Sequence, residues 1–179
     1  MARALLECPA MSPYRLRILP LVLLAAACGS EDNAFHGVAA VAGTYSVALT
    51  NSSNSCALPN FELGTTSQGV PVEVTQDGAT ASARIDGIAG GFLRLWLGTA
   101  QYDGSVEESA VDLTARGSTP LRQGRCTYTV DSRLQATLTG DSLSGTLTYT
   151  PHTNGDPDCA QLLDCSAAQR FAGSRPPPP

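Results

Sequence analysis

Cysteine is the residue type with the clearest chemistry in this chain. Four of its six cysteines lie well beyond the N-terminal segment: Cys56, Cys126, Cys159 and Cys165. An even number of thiols in an exported chain indicates two disulfides, for which three pairings exist. A zinc site is disfavoured because these cysteines lack a CxxC spacing and an exported chain meets an oxidising compartment.

The pairing depends on residues 158–171, which we predict to form a short helix after Asp156-Pro157. On one helix, Cys159 and Cys165 lie about 9 Å apart along the axis and leave on different faces, so they cannot join. One would then pair with Cys56 and the other with Cys126, which fixes the helix to the strands. In the alternative, the helix is interrupted and the two disulfides are Cys56–Cys126 and Cys159–Cys165.

Side chains suited to acid–base or nucleophilic catalysis are few. His36 precedes the patterned region, and His152 lies in 151–158, whose oxygens suit a metal but which we interpret as a turn and helix cap. Glu107 and Glu108 are adjacent, so on a strand they point to opposite faces. No serine lies in a Gly-x-Ser-x-Gly motif. We therefore predict no catalytic residues, no metal site and no cofactor.

The N-terminus carries the pattern of a secretion signal. Arginines precede an apolar run, 18–27, which is too short for a spanning helix of about 20 apolar residues. Met11 is a more usual start than Met1 for such a signal, because it stands just ahead of those arginines.

Residues 24–28, Leu-Ala-Ala-Ala-Cys, resemble the lipobox of bacterial lipoproteins. The resemblance implies removal of residues 1–27 and acylation of Cys28, which would hold the protein on a membrane. Gly29, by resemblance to lipoproteins of Gram-negative bacteria, implies the outer membrane. The alternatives are cleavage by an ordinary signal peptidase at the same alanines, an uncleaved membrane anchor, and a structural cysteine.

The chain is acidic, with a net charge of −5 and no lysine. Removing residues 1–27 also removes three arginines and one glutamate, which makes the remainder more acidic. A chain of this kind without a basic patch has no electrostatic basis for binding nucleic acid or an anionic membrane surface.

From Gly43 onward, apolar and polar residues alternate with a period of two. Clear runs occupy 45–50, 70–75, 81–86, 111–116, 126–131, 134–138 and 143–150, with further candidates at 92–97 and 100–106. Each run buries one face and exposes the other, as in an antiparallel sheet. We predict an all-β fold: an antiparallel meander of about eight or nine strands, forming a barrel or sandwich, with one short C-terminal helix.

Turn signals and composition set the boundaries. Four dipeptides typical of tight turns separate the runs: Asp77-Gly78, Asp86-Gly87, Asp103-Gly104 and Gly140-Asp141. The domain organisation is a signal peptide at 1–27, a lipidated flexible tether at 28–42, a β-domain with its C-terminal helix at 43–173, and a proline-rich tail at 174–179.

One run, 92–97, is apolar on both faces of a strand. If its three leucines face the core, the outer face carries Phe92, Arg94 and Trp96. Aromatic residues with arginine are typical of binding hot spots. The alternative is that the C-terminal helix covers this face.

Gly43-Thr44-Tyr45 stands where lipocalins carry Gly-x-Trp, at the start of the first strand. The meander, the following helix and a disulfide to the C-terminal region also resemble lipocalin-like barrels. The layout equally resembles that of small uncharacterised lipoproteins of Gram-negative bacteria. The lipocalin resemblance implies a small apolar ligand inside the barrel, with Tyr45, Tyr128 and Tyr149 among the inward residues.

These observations favour a non-enzymatic lipoprotein of the cell envelope, held on the membrane by its lipid. Its β-domain would bind a small apolar ligand or an envelope protein. The alternative is a structural or interaction module without a ligand cavity, and an enzyme is least favoured. A ligand-binding barrel requires a cavity of several hundred Å³.

Overall fold

A computed structural model describes residues 37–176 of the chain. The predicted signal peptide, Cys28 and His36 lie outside the described residues, as do the last three prolines. Within the described part, no helix has the length and apolarity needed to cross a membrane.

The described chain is mostly β-strand, as predicted. The strands are β1 (Gly43–Asn54), β2 (Thr66–Asp77), β3 (Thr80–Ile85), β4 (Gln101–Glu107), β5 (Ala110–Ala115), β6 (Leu121–Gln123), β7 (Cys126–Thr139), β8 (Ser142–Thr153) and β9 (Ala167–Ser174). One α-helix, α1 (Gly87–Leu97), connects β3 to β4, and a 3₁₀ helix (Pro157–Leu162) precedes β9.

Eight of these strands form a closed antiparallel barrel. They pair in the order β1-β2-β3-β4-β5-β7-β8-β9, and β9 pairs back with β1. The short β6 pairs with the start of β7 beyond the ring. The barrel is therefore the architecture adopted, and its closure removes the free edges of the sheet.

The two ends of the barrel differ in what covers them. At one end, termed the helix end, lie α1, the 3₁₀ helix, both disulfides and the β1–β2 loop. At the other, termed the tether end, β1 begins and three hairpin turns connect β2 to β3, β4 to β5, and β7 to β8. Because neighbouring strands run in opposite directions, each connection falls at one end or the other.

The alternating pattern correctly identifies the inward face of most strands. In β2, Val70, Val72 and Val74 are buried between exposed residues, and β5 repeats this with Val111, Leu113 and Ala115. The two runs predicted at 126–131 and 134–138 are one continuous strand, β7, whose alternation extends through buried Ser132.

Glycines in the middle of three strands allow the barrel to bend. Gly104, Gly145 and Gly173 occupy inward positions, and a Cβ at each would overlap the backbone of the neighbouring strand. Such glycines let a strand bend sharply where a barrel turns its corners. The prediction of a hairpin turn at Asp103-Gly104 is therefore wrong, because both residues lie within β4.

The predicted strand at 92–97 is also wrong, because this segment is the second half of α1. Leu93 and Leu97 are buried, whereas Leu95 is 79% exposed. A strand would place all three leucines on one face, whereas a helix places Leu93 and Leu97 together and turns Leu95 away, as observed. Likewise, Asp86-Gly87 begins α1 and does not form a hairpin turn.

The predicted C-terminal helix at 158–171 is replaced by two elements, the 3₁₀ helix and β9. Asp156 does cap the first of them, since its side chain accepts a hydrogen bond from the N–H of Asp158 at 3.0 Å. The second is required by the barrel, because β9 supplies the strand that bonds to both β1 and β8. Tertiary pairing thus overrides the local helical signal.

The two disulfides join Cys56 to Cys165 and Cys126 to Cys159. Cys159 and Cys165 are therefore each joined to a cysteine in or next to the sheet, as we predicted. The predicted helix that would hold the two cysteines apart is wrong, because they do not lie on one helix.

The last part of the predicted tether packs against the tether end. Val41 is fully buried, and its N–H donates to the side chain of Gln76 at 2.7 Å. Arg175 donates to the carbonyls of Ala40 and Ala42 and pairs with Asp141 at 2.9 Å. This part of the chain covers the tether end of the barrel.

Two adjacent glycines in α1 give a test of the helix and its packing. A Cβ on Gly90 would overlap the carbonyl of Ile85, whereas a Cβ on Gly91 meets no atom within 4 Å. We expect Gly90→Ala to lower the free energy of unfolding by about 1–3 kcal/mol through overpacking. Gly91→Ala should raise it by up to about 1 kcal/mol, because alanine is the better helix former.

Urea unfolding of the two variants measures both effects. Equal destabilisation by the two substitutions would contradict the helix, because the alanine at 91 would then also be unfavourable.

Candidate functional site

The candidate site is the surface around α1 at the helix end. The helix begins after Asp86 and ends at Gly98, which adopts the left-handed conformation (φ 90°) and donates its N–H to the carbonyl of Arg94. Leu93 and Leu97 pack into the mouth of the barrel. Burial of these leucines positions α1 across the end of the core.

The opposite side of α1 is apolar as well. Ile88, Phe92 and Leu95 follow the i, i+4, i+7 spacing of one helix face and are 95%, 61% and 79% exposed. Arg94 is the only charged residue of the helix. A helix that is apolar all round is normally buried on all sides, so the exposed face of α1, termed the α1 stripe, is suited to an interaction.

An aromatic row connects the α1 stripe to the barrel wall. The Trp96 ring lies 5.9 Å from that of Phe92 and 5.1 Å from that of Tyr149, and Tyr149 is 6.4 Å from Phe61. Trp96 is therefore half-buried between its neighbours. It holds α1 against the barrel more than it offers a free surface.

Of the three residues predicted for an outer face at 92–97, Phe92 and Arg94 are exposed and Trp96 is half-buried. Within residues 37–176, the C-terminal part forms no helix over them apart from the short 3₁₀ helix. Ile88 and Leu95 belong to the exposed face and were not identified from the sequence. The helical spacing of Ile88, Phe92 and Leu95 was the signal that would have found them.

The three tyrosines predicted to face the lumen lie in different places. Tyr45 is buried at the tether end, where its hydroxyl donates to the carbonyl of Val41 at 2.8 Å. Burial raises the pKa of Tyr45, although the nearby Arg175 opposes the shift. Tyr149 is buried near the helix end and donates to Gln169 at 2.7 Å, whereas Tyr128 is half-buried. They do not line one shared cavity.

The lumen of the barrel is filled by its own side chains. The void that remains has a volume of about 20 Å³, and its lining is apolar: Val41, Val47, Leu49, Val72, Val74, Ala83, Ile85, Val111, Leu113, Leu134, Leu143, Leu147 and Phe171. This is room for about one water molecule. A small apolar ligand requires several hundred Å³, so the lumen as it stands holds no such ligand.

A second concavity lies on the outside of the barrel, across β4, β5, β7 and β8. It is an open groove of about 440 Å³ that includes Glu107, Asp112, Gln135 and Ser144. A hydrogen bond from Arg133 lowers the pKa of the Asp112 carboxyl. This ion pair neutralises the central carboxylate of the groove.

The candidate residues for catalysis or metal binding, His152, Glu107 and Glu108, do not lie together in one site. His152 Nε2 lies 3.1 Å from a carboxylate oxygen of Asp131, and both side chains are solvent-accessible. Glu107 and Glu108 lie where β4 ends. Among residues 37–176, no three His, Cys, Asp or Glu side chains form a group able to hold a metal ion.

The disulfides stabilise the loops on which the site rests. They close loops of 109 and 33 residues, and links of this length stabilise a fold by on the order of 3–5 kcal/mol each. Both lie at the helix end. They therefore restrain the connections that surround α1.

No family model, curated protein or solved structure matches this chain.

The half-buried position of Trp96 can be tested against an exposed residue of the same helix. Trp96→Ala removes the contacts with Tyr149 and Phe92 and should lower the free energy of unfolding by about 2–3 kcal/mol. Ile88→Ala should change it by less than about 0.5 kcal/mol, because Ile88 stands in solvent. Thermal melts of both variants check this, and similar melting temperatures would refute the packing role of Trp96.

A buried tyrosine gives a pH test of the core beneath the site. Tyr102 is fully buried and donates to Ser132 at 3.0 Å, and burial raises its pKa to about 12. The unfolded chain, with a tyrosine pKa of about 10, loses this proton first. The contribution of Tyr102 to the free energy of unfolding is therefore fully present below pH 10. It is lost as the pH rises through 12, which lowers the free energy of unfolding by about 2–3 kcal/mol.

Tyr102→Phe should flatten this alkaline decrease in urea-unfolding free energy. Part of the decrease should persist, because burial also raises the pKa of Tyr149. An unchanged pH dependence in Tyr102→Phe would show that Tyr102 is not the group responsible.

Proposed function

We propose that this protein is a non-enzymatic lipoprotein of the cell envelope that binds through the outer surface of its barrel at the helix end. Cys28 carries the lipid, and the chain that follows connects it to the tether end. The outer membrane is the proposed location, on the basis of Gly29.

The observation that carries the binding surface is the contrast between the lumen and α1. The lumen leaves only about 20 Å³, whereas the α1 stripe exposes three large apolar side chains. An interaction module without a ligand cavity is therefore favoured over a lipocalin-like container. The position of the helix, between β3 and β4, also differs from the C-terminal helix that the lipocalin resemblance implied.

The disulfides support an exported protein. Disulfides persist in oxidising compartments outside the cytoplasm, and both links join segments at the helix end that are distant in sequence. A chain delivered through a secretion signal would meet such a compartment. The apolar run at 18–27 and the lipobox-like residues 24–28 supply that delivery.

Cys28→Ser tests the anchor. The substitution removes the thiol that would be acylated, so we expect it to abolish fatty-acid labelling and to release the protein from membranes into the soluble fraction. Cys8→Ser is the matched control, because Cys8 belongs to the segment that is removed and labelling should be unchanged. Labelling that continues in Cys28→Ser would refute the lipoprotein assignment.

A further inference from the structure

Large apolar side chains are exposed mainly at one end of the barrel. Of the six that the described residues expose, five lie at the helix end: Leu63, Ile88, Phe92, Leu95 and Leu163. They come from three separate connections, namely the β1–β2 loop, α1 and the segment between the 3₁₀ helix and β9. The sixth, Val38, lies in the chain near the tether end.

These five side chains, termed the apolar tips, protrude and do not line a groove. They are between 55% and 95% exposed, and none of them lines the lumen void or the outer groove. Protruding tips on several loops suit a surface that deforms around them. The boundary between the headgroups and acyl chains of a bilayer is such a surface.

The two ends of the barrel differ in their unpaired charged side chains. Arg94, Arg116 and Arg122 lie at the helix end, on α1, just after β5 and on β6, and form no ion pair with any other described residue. Arginine binds phosphate oxygens through two parallel hydrogen bonds. The same end also carries carboxylates, so its charge is mixed: Glu62 and Asp164 on loops, Asp86 beside Arg84, and Asp156 and Asp158 beside Arg125.

Among the described residues, the tether end has unpaired carboxylates and no unpaired arginine. Its turns carry Asp77, Glu107 and Glu108, which have no arginine partner within the described range. The three unpaired arginines of the helix end are a local feature that the acidic balance of the whole chain does not reveal.

We propose that the helix end docks on the surface of a phospholipid bilayer. The apolar tips enter the headgroup boundary, and Arg94, Arg116 and Arg122 bind lipid phosphates. A second copy of the chain is a poorer occupant, because symmetric pairing of two α1 stripes would bring Arg94 close to its own counterpart. This inference rests on the proposed function for the place of the binding surface, but it does not depend on acylation.

The test uses the whole chain with Cys28→Ser, so that no acyl chain contributes. It is mixed with vesicles of phosphatidylcholine alone or with phosphatidylglycerol added, and cosedimentation is measured. We expect binding to both, at least several-fold stronger with phosphatidylglycerol and weakened by salt. Trp96, the only tryptophan, should shift its fluorescence to shorter wavelength, because it lies beside Phe92.

Two further variants identify the surface responsible. Joint replacement Ile88→Ser, Phe92→Ser and Leu95→Ser should reduce vesicle binding at least tenfold while the protein still unfolds cooperatively, because these side chains are exposed. Val38→Ser, which removes an exposed apolar residue at the tether end, is the matched control and should bind normally. Replacing the three arginines by glutamine should remove the preference for phosphatidylglycerol.

Several results would overturn the proposal. They are absence of binding to either vesicle, unchanged binding by the triple serine variant, and loss of binding in Val38→Ser. A stable dimer that the triple variant dissociates would also overturn it, since a second copy would then cover the α1 stripe. Failure of Cys28 labelling would affect only the anchor, because the vesicle test contains no lipid on the protein.

Discussion

The pairing of β9 with β1 closes the barrel, and the remaining structure depends on it. Without β9, both β1 and β8 would present unpaired edges. The seam is fastened at both of its ends. Near the helix end, the disulfide from Cys56 to Cys165 stands beside the last pair, Asn54 with Ala167. At the tether end, Arg175 follows β9 directly and binds the chain that leads into β1. A covalent link and a group of charge-assisted hydrogen bonds thus set the register of the seam.

Closure with eight strands also determines where binding can occur. A barrel of this size has an interior just wide enough for its own side chains or for one small ligand. Here valine and leucine side chains from opposite walls meet, and inward glycines such as Gly145 bring the strands closer together. The filled lumen requires a cover at each end. Val41 supplies it at the tether end and α1 at the other. Because α1 covers the core with Leu93 and Leu97 and contacts Tyr149 through Trp96, its α1 stripe stays exposed among the described residues.

The sequence predicted the strands whose inward positions are large and apolar, and failed where they are not. In β9 the inward positions include Gln169, which binds Asn51, and Gly173, so Phe171 is the only large apolar residue facing inward. No period of two is visible in such a segment, and only the neighbouring strands make it a strand. In 92–97, leucine at every second position fits one face of a strand, and two of the three leucines, Leu93 and Leu97, fit one face of a helix. Two residues before this segment distinguish the helix from the strand. Ile88 extends the helical spacing of Phe92 and Leu95, and Gly90, which has no Cβ, lets the helix pack close to the carbonyl of Ile85.

The same ambiguity explains why the candidate site was found only in part. A strand places Leu95 on the face opposite Phe92, whereas the helix places Leu95 beside Phe92 and Ile88. The helix also packs Trp96 against Tyr149. The two groups have different consequences for the protein. Trp96 contributes to the stability of the fold, while an isoleucine that is 95% exposed contributes almost none. Exposed apolar side chains gathered at one end lower solubility without stabilising the barrel. The stability of the fold therefore does not account for the exposed α1 stripe, whereas the proposed interaction would.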